Sequence, residues 1–599
     1  MFKFILSLGL LIFLFSSVAV AKNQMSDKEL KKSLSYPSKG IIIKVKEGKF
    51  NLNSLFLMQN KFGIKIERKI NSLDNNLYLA QTLANKSMFD VLKKLNTSPM
   101  IEIAEPNYVV SLVDNGKFNV VNVNENQMIR AAELHNQDAY ASPYADAIPN
   151  DPMFNKLWGL QNLGNNAPAD ESTEGPSLMK GVAGADIDAL RAWEITKGDR
   201  KIKIASIDTG VDYNHPDLKA NMWVNTAELN GKPSVDDDGN GYIDDIYGYD
   251  FASKDGDPMD EHNHGTHTVG TIAAVHNNGI GVAGVMANAS IVAIRFLDAN
   301  GSGTLEAAIE AIDYATKLNV DIMSNSWGGG GFTQTLKDAI DRAKDKGIVF
   351  VAAAGNSSSD NDSSPQYPAT YDCANIVSVA AHNVNDALSS FSCYGKRTVH
   401  VVSPGEAILS TVRSGQYATY SGTSMATPHM SGIVGLLLSK EGRMNHDVLR
   451  DRLLATSVPV PAYKSKVKSK GRINAYNVLT NTRPPNTDPN PSDWIRMNLD
   501  APFESAHPYA DNANIEKVIT VPNAKFVRVL VKKYELEANY DFLKVIDNKT
   551  GAVVESITNT GENYVSEYIQ GDTVKIQMTS DVSITKWGFI IEAVEYVRK

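Results

Sequence analysis

Residues 202–210 read Ile202-Lys-Ile-Ala-Ser-Ile207-Asp208-Thr209-Gly210, and this stretch decides the fold. A short apolar, β-branched run ends abruptly on a carboxylate, a hydroxyl and a glycine. Runs of the same character recur at 291–296, 320–325, 348–353 and 376–380, with helical stretches between them. Near-continuous apolar strands leave no face for water, so they belong to a parallel sheet covered on both sides by helices. The expectation for residues 149–480 is therefore a three-layer α/β domain.

In such sheets ligands gather beyond the carboxyl ends of the strands. The strand ends here carry polar and small residues: Asp208-Thr209-Gly210, then Ser324-Asn325-Ser326-Trp327-Gly328, then Ala354-Gly355-Asn356. Two helical runs point at the same rim. One follows His264-Gly-Thr-His267. The other follows Ser421-Gly-Thr-Ser424-Met-Ala-Thr-Pro428-His429. Proline is tolerated only near a helix start, which puts Ser424 at or beside an N-terminus whose free N–H groups favour negative charge. Taken singly, these motifs have plainer readings as a turn, a pair of metal ligands and a helix cap.

Together, Asp208-Thr-Gly, His264-Gly-Thr-His and Gly422-Thr-Ser-Met-Ala-Thr-Pro resemble the three signature motifs of the subtilisin-like serine proteases, the peptidase S8 family, in that family's order. Gly355-Asn356 matches its oxyanion motif. The resemblance implies a serine endopeptidase working through an acyl-enzyme. Ser424 would be nucleophile, His264 base and then acid, Asp208 its orienting partner and Asn356 an oxyanion donor. It further implies an edge strand at Ser326-Trp327-Gly328 that binds substrate, a pocket wall at Ala354 and Gly355, and a pocket floor at Gln366. Ser357 follows Asn356 where an acid would favour basic substrates, so medium or large uncharged side chains are expected in the pocket. An α/β-hydrolase esterase is disfavoured, because no Gly-x-Ser-x-Gly surrounds Ser424.

Residues 236–245, Asp236-Asp-Asp238-Gly-Asn240-Gly241-Tyr242-Ile-Asp244-Asp245, place oxygen ligands at alternate positions with glycine at the sixth and the Tyr242 carbonyl at the seventh. That spacing is EF-hand-like and predicts Ca2+, with Asp244 or Asp245 closing the loop because position twelve, Tyr247, is no glutamate. The family resemblance implies a second calcium site at Asp217 and Asn278, with Asp151 adding a carboxylate.

The flanks are different in kind. Met1-Phe2-Lys3, an apolar run at 4–15 and Ala19-Val20-Ala21 read as a secretory signal peptide over 1–21. The run is too short to span a bilayer, and no later one is long enough. Residues 22–148 read as a propeptide. Its 39–113 part has the order βαββαβ of a ferredoxin-like unit, followed by a polar linker from 114, with processing expected close to Ile148. It resembles the family's inhibitory prodomain, including Glu105-Pro-Asn-Tyr-Val-Val110. A proline-rich linker at 481–493 leads to an all-β module at 494–599, weakly similar to CUB-type sandwiches. The two cysteines, Cys373 and Cys393, could close a disulfide after export or remain two buried thiols.

The net charge of −9, from 59 basic and 68 acidic residues, gives no reason to expect nucleic acid and suits a protein that holds cations. The partners expected are peptide or protein substrates and the chain's own prodomain, acting on a secreted monomer.

Overall fold

A computed structural model of the chain describes residues 30–31, 34–47, 59, 61–84, 86–113, 119–121, 147–165, 167–168, 178–485, 488–537, 540–549, 551 and 553–599. The signal peptide expected at 1–21, most of the helix expected at 52–62 and most of the linker after 113 lie outside these residues.

The N-terminal unit contains β1 (Ser38–Val45), β2 (Ile64–Lys69), β3 (Leu77–Thr82), α1 (Met88–Thr97) and β4 (Ile101–Leu112). Its strands pair antiparallel in the order β4-β1-β3-β2. Beyond it, β5 (Asn119–Val121) leaves this sheet and pairs with residues 417–419 of the central domain.

The central domain comprises β6 (Gly198–Asp208), β7 (Gly248–Asp250), α2 (His264–Ala273), β8 (Asn288–Arg295), β9 (Ser302–Thr304), α3 (Leu305–Lys317), β10 (Ile322–Asn325), β11 (Trp327–Gly328), α4 (Gln334–Asp345), β12 (Val349–Ala353), β13 (Ile376–His382), β14 (Val401–Pro404), β15 (Ile408–Val412), β16 (Gln416–Tyr420), α5 (Thr423–Glu441), β17 (Val458–Pro459) and β18 (Gly471–Arg472). Its nine-stranded sheet runs β17-β18-β14-β13-β12-β10-β6-β8-β7. All neighbours are parallel except the β17–β18 pair at one edge.

The alternation of strand side chains explains the apolar runs. Ile204, Ile291, Ala293, Val349 and Val351 enter one core with α2 and α5 residues such as Val269, Ile272, Ile433 and Leu436. Their neighbours Ala205, Val292, Ile294, Phe350 and Ala352 enter a second core with α3 and α4 residues such as Ile309, Ile312, Leu336 and Ile340. Both faces are dry, so the strands are mostly apolar, with small buried hydroxyls such as Ser206, Ser324 and Ser378 among them.

The C-terminal module is made of β19 (Ile495–Glu504), β20 (Asn514–Thr520), β21 (Ala524–Glu535), β22 (Phe542–Asp547), β23 (Val553–Ile557), β24 (Thr560–Gln570), β25 (Thr573–Thr579) and β26 (Gly588–Arg598). It forms two antiparallel four-stranded sheets, β19-β26-β21-β24 and β20-β25-β22-β23, around one shared apolar core. Lys396 pairs with Glu567 and Lys464 with Asp488, tying this side of the molecule to the central domain.

The disulfide considered for Cys373 and Cys393 is corrected: both are free, buried thiols. Cys373 lies in the core beneath α4, where burial pushes its thiol up to about 12. Cys393 lies in a separate cluster with Ala354, Val402 and Tyr463. Nearness in sequence does not bring them together, because the strand β13 runs between them. Among the described residues no helix is long and apolar enough to cross a membrane.

Candidate active site

Asp208 is the last residue of β6, His264 the first of α2 and Ser424 the second of α5. All three are buried. His264 Nδ1 lies 2.8 Å from Asp208 Oδ1, and the Thr209 N–H also donates to that oxygen at 2.7 Å. Glycine is required where these elements meet. A Cβ on Gly265 would sit 2.0 Å from the carbonyl oxygen of Gly210, and Gly210 itself has φ +99°. The motif glycines thus let the imidazole and the carboxylate approach. His267, one turn further on, has a different task. Its Nε2 contacts the carbonyls of Ile408 and Ala418 at 3.0 and 3.1 Å, and burial pushes it down to about 3. It locks the β15–β16 hairpin to α2.

The rim expected from the strand ends is assembled around Ser424. Ser326 Oγ donates to the Ser424 carbonyl at 2.9 Å, so Ser326 also positions the serine. The Asn356 carboxamide oxygen accepts from Thr423 N and Thr423 Oγ1, both at 2.9 Å. This turns its nitrogen toward the cleft. Gly355, at φ +118°, leaves no room for a side chain, since a Cβ would meet Cys393 Sγ at 2.9 Å and Gln366 Cγ at 3.4 Å. Ala354, Gly355 and Gln366 therefore do sit together beside Asn356.

The cleft holds the chain's own β4. Leu112 and Ser111 pair antiparallel with Trp327 and Gly328 of β11. Ser111, Val110 and Val109 pair with Ser302, Gly303 and Thr304 of β9 on the other side. Val113 follows, and its carbonyl oxygen accepts from Ser424 Oγ at 2.7 Å and from Asn356 Nδ2 at 2.5 Å. Val113, and not a residue near Ile148, therefore lies at the serine. Residues 150–153 are held elsewhere: Asn150 N donates to Asn277 Oδ1 and Met153 N to the Gly281 carbonyl. The second edge, β9, escaped the sequence reading, although the turn Asn300-Gly-Ser-Gly303 marks it.

Outside the cleft the N-terminal unit rests on α3 and α4. The Glu105 carboxylate accepts from Gln334 N (2.6 Å) and Thr335 N (3.1 Å) at the start of α4. The Asn107 carboxamide oxygen accepts from Glu306 N (3.0 Å) at the start of α3. Arg68 pairs with Glu310 at 2.6 Å and Glu306 at 3.4 Å, and Lys44 with Asp338 at 3.1 Å.

Two acidic sites fit a hard cation. In the 236–245 loop, carboxylate oxygens of Asp238, Asp245 and Glu228 lie within 4.8 Å of one another. The amides of Asn225 and Asn240 each reach both Asp238 and Asp245, at 2.8–3.0 Å. A half-turn of either amide would offer oxygen instead. Burial pushes Asp245 up to about 6, as expected for a carboxylate gathered without its counter-charge. Asp236 accepts from the backbone amides of Asn240 and Gly241 and Asp244 from that of Ser234, bonds that shape the loop, and the Tyr242 ring is packed among Tyr249, Phe251 and Tyr314. Glu228 and Asn225, supplied by the preceding helical turn, lay too far along the chain to be read from spacing. At the second site, buried Asp217 takes the Asn278 amide at 2.7 Å and Val282 N at 3.0 Å. Buried Asp151 accepts from Asn277 N and Asn278 N. Burial drives Asp217 up to about 7, reinforced by the charge of Asp151, and Asp151 up to about 6. The C-terminal module brings Glu537, Asp541 and Asp581 together as well.

A hydroxyl at a helix N-terminus, an imidazole oriented by a buried carboxylate and a carboxamide aimed at a peptide carbonyl can together carry out acyl transfer. Residues 199–488 match the subtilase family, peptidase S8. A thermophilic serine proteinase of Bacillus sp. (strain AK1) is 39% identical over 391 residues, covering 65% of this chain and 75% of its own. Thermitase of Thermoactinomyces vulgaris is 40% identical over 293 residues, 49% of this chain and 93% of its own. Subtilisin-like protease 1 of Plasmodium berghei (strain Anka) is 35% identical over 322 residues, 51% of this chain and 54% of its own. The chain belongs to the subtilase family. It is a serine-type endopeptidase.

Proposed function

We propose that the chain is the precursor of an exported, calcium-binding endopeptidase whose first substrate is its own Val113–Asp114 bond. The observation that carries this reading is the Val113 carbonyl, held by Ser424 and Asn356 with β4 threaded between two edges of the cleft. Ser424 Oγ attacks the Val113 carbonyl carbon while His264 Nε2 takes the hydroxyl proton, and Asp208 stabilises the resulting imidazolium. The oxyanion forms where Asn356 Nδ2 already points, beside the backbone N–H of Ser424 at the start of α5. Collapse breaks the Val113–Asp114 bond, with His264 returning its proton to the Asp114 nitrogen. Water, deprotonated by His264, then releases the Val113 carboxylate and restores Ser424. Val113, as the residue before this bond, favours uncharged side chains at that position of later substrates.

Glu228, Asp238 and Asp245 with Asn225 and Asn240 would hold one calcium ion, and Asp217, Asn278 and Asp151 another. The ion supplies the positive charge that lets these carboxylates crowd together. Chelation is expected to lower the melting temperature and hasten self-digestion, read by calorimetry and gel. The amino-terminal signal pattern supports export.

The decisive experiment compares wild type with Ser424→Ala by intact mass and terminal sequencing. Wild type should yield a carboxyl terminus at Val113, and the variant should stay uncut. An equal cut in both would overturn the reading.

A further inference from the structure

The cleft is occupied on both sides of the Val113 carbonyl. Upstream lies β4. Downstream, six residues past Val113, β5 pairs antiparallel with β16: Asn119 with Thr419, Val120 with Ala418 and Val121 with Tyr417. The other edge of β16 is taken by β15, so β5 completes a three-stranded sheet. The hairpin does not need β5 for its position. Besides the His267 contacts, Ser410 Oγ donates to the His267 carbonyl at 2.8 Å and Thr411 Oγ1 to the Thr266 carbonyl at 2.8 Å. Tyr417 Oη donates to Asp217 at 3.2 Å. Four residues after β16 comes Ser424, so the strand's register is fixed relative to the nucleophile.

A strand edge held in this way presents a row of backbone donors and acceptors to any extended chain that reaches it. Six extended residues span at most about 20 Å, a reach that suits a substrate leaving the serine on its amino-group side.

We propose that the outer edge of β16 is a second substrate-binding site, which takes an extended polypeptide by strand addition six to eight residues beyond the scissile bond. The chain's own Asn119–Val121 is its first occupant, and downstream segments of protein substrates replace it. This rests on the reading of Ser424 and Val113 given above. Recognition is through the backbone, so it favours unfolded or extended polypeptides over short peptides and sets little sequence preference at those positions.

The test uses enzyme matured from the full chain and trimmed through a protease site inserted after Val121, so that β5 is removed, and two peptides copied from residues 108–118 and 108–123. Both should be cut between the residues corresponding to Val113 and Asp114. The longer should have a KM lower by about tenfold with kcat little changed, as expected for two added backbone hydrogen bonds. N-methylation at the positions of Asn119, Val120 and Val121 should remove that gain at alternate positions only, the signature of a strand with one face bonded. Equal KM values for the two peptides would overturn the second site while upholding the endopeptidase. A gain indifferent to N-methylation at every position would also overturn strand addition. If neither peptide is cut and the precursor stays whole, the underlying reading of Ser424 fails first, and this inference falls with it.

Discussion

The N-terminal unit touches the central domain in two regions built on different principles. In the cleft, β4 is held by main-chain pairing on both edges, and the residues nearest the serine, Ser111, Leu112 and Val113, are uncharged. On α3 and α4 it is held by side chains: Arg68 on Glu306 and Glu310, Lys44 on Asp338, Glu105 and Asn107 on helix ends. Main-chain pairing accepts nearly any extended chain, whereas the side-chain contacts fit one partner. A substrate can use only the first region, and an inhibitor that must stay bound needs both.

The largest effect that would sharpen this contrast is loss of Ser424. Ser424→Ala should slow cutting at Val113 on the order of 10⁶-fold while leaving both regions of contact intact, so the variant should remain a folded, uncut chain by size-exclusion chromatography and mass. Asn356→Ala should come next, lowering kcat by about 10²–10³-fold on a short peptide, with KM little altered. Glu105→Ala and Arg68→Ala touch only the helix region. Each should leave the cut at Val113 in place but shorten the delay between that cut and activity on a short peptide by about tenfold, because the cut unit dissociates sooner. A delay unchanged in both would break the comparison. The smallest effect is ionic. Raising salt from about 0.05 to 0.5 M should shorten the same delay a few-fold, while hydrolysis of an uncharged peptide by mature enzyme stays constant.

The sequence makes the central sheet legible because both its faces are buried, so its strands are mostly apolar and their polar ends stand out. Asp208 and Asn356 stand out because each sits where an apolar strand stops, and His264 and Ser424 because each sits where an apolar helical run begins. What stayed hidden depends on contacts between distant segments. Glu228 reaches Asp238 and Asp245 only after a helical turn folds over the loop. The β9 edge is three residues long and half-buried, too short for any periodicity. The place of Val113 cannot be inferred from a polar linker, since it follows from the register of β4 against β9 and β11. The cysteine pair misled because sequence separation says nothing about which core each thiol enters.

The two helix ends met by Glu105 and Asn107 have a consequence for the history of the molecule. Neither Thr304, before α3, nor Thr333, before α4, caps its helix with its own side chain. A helix begins with several unmet N–H groups, and its first turn is its least favourable step. Here the groups that ease that step are donated by the segment that the proposed cut at Val113 would release. The mature enzyme would then keep a shape it is poorly equipped to regain: once unfolded by heat or acid, it should refold far more slowly than its precursor, and its persistence would depend on the height of the unfolding barrier more than on the depth of the native well.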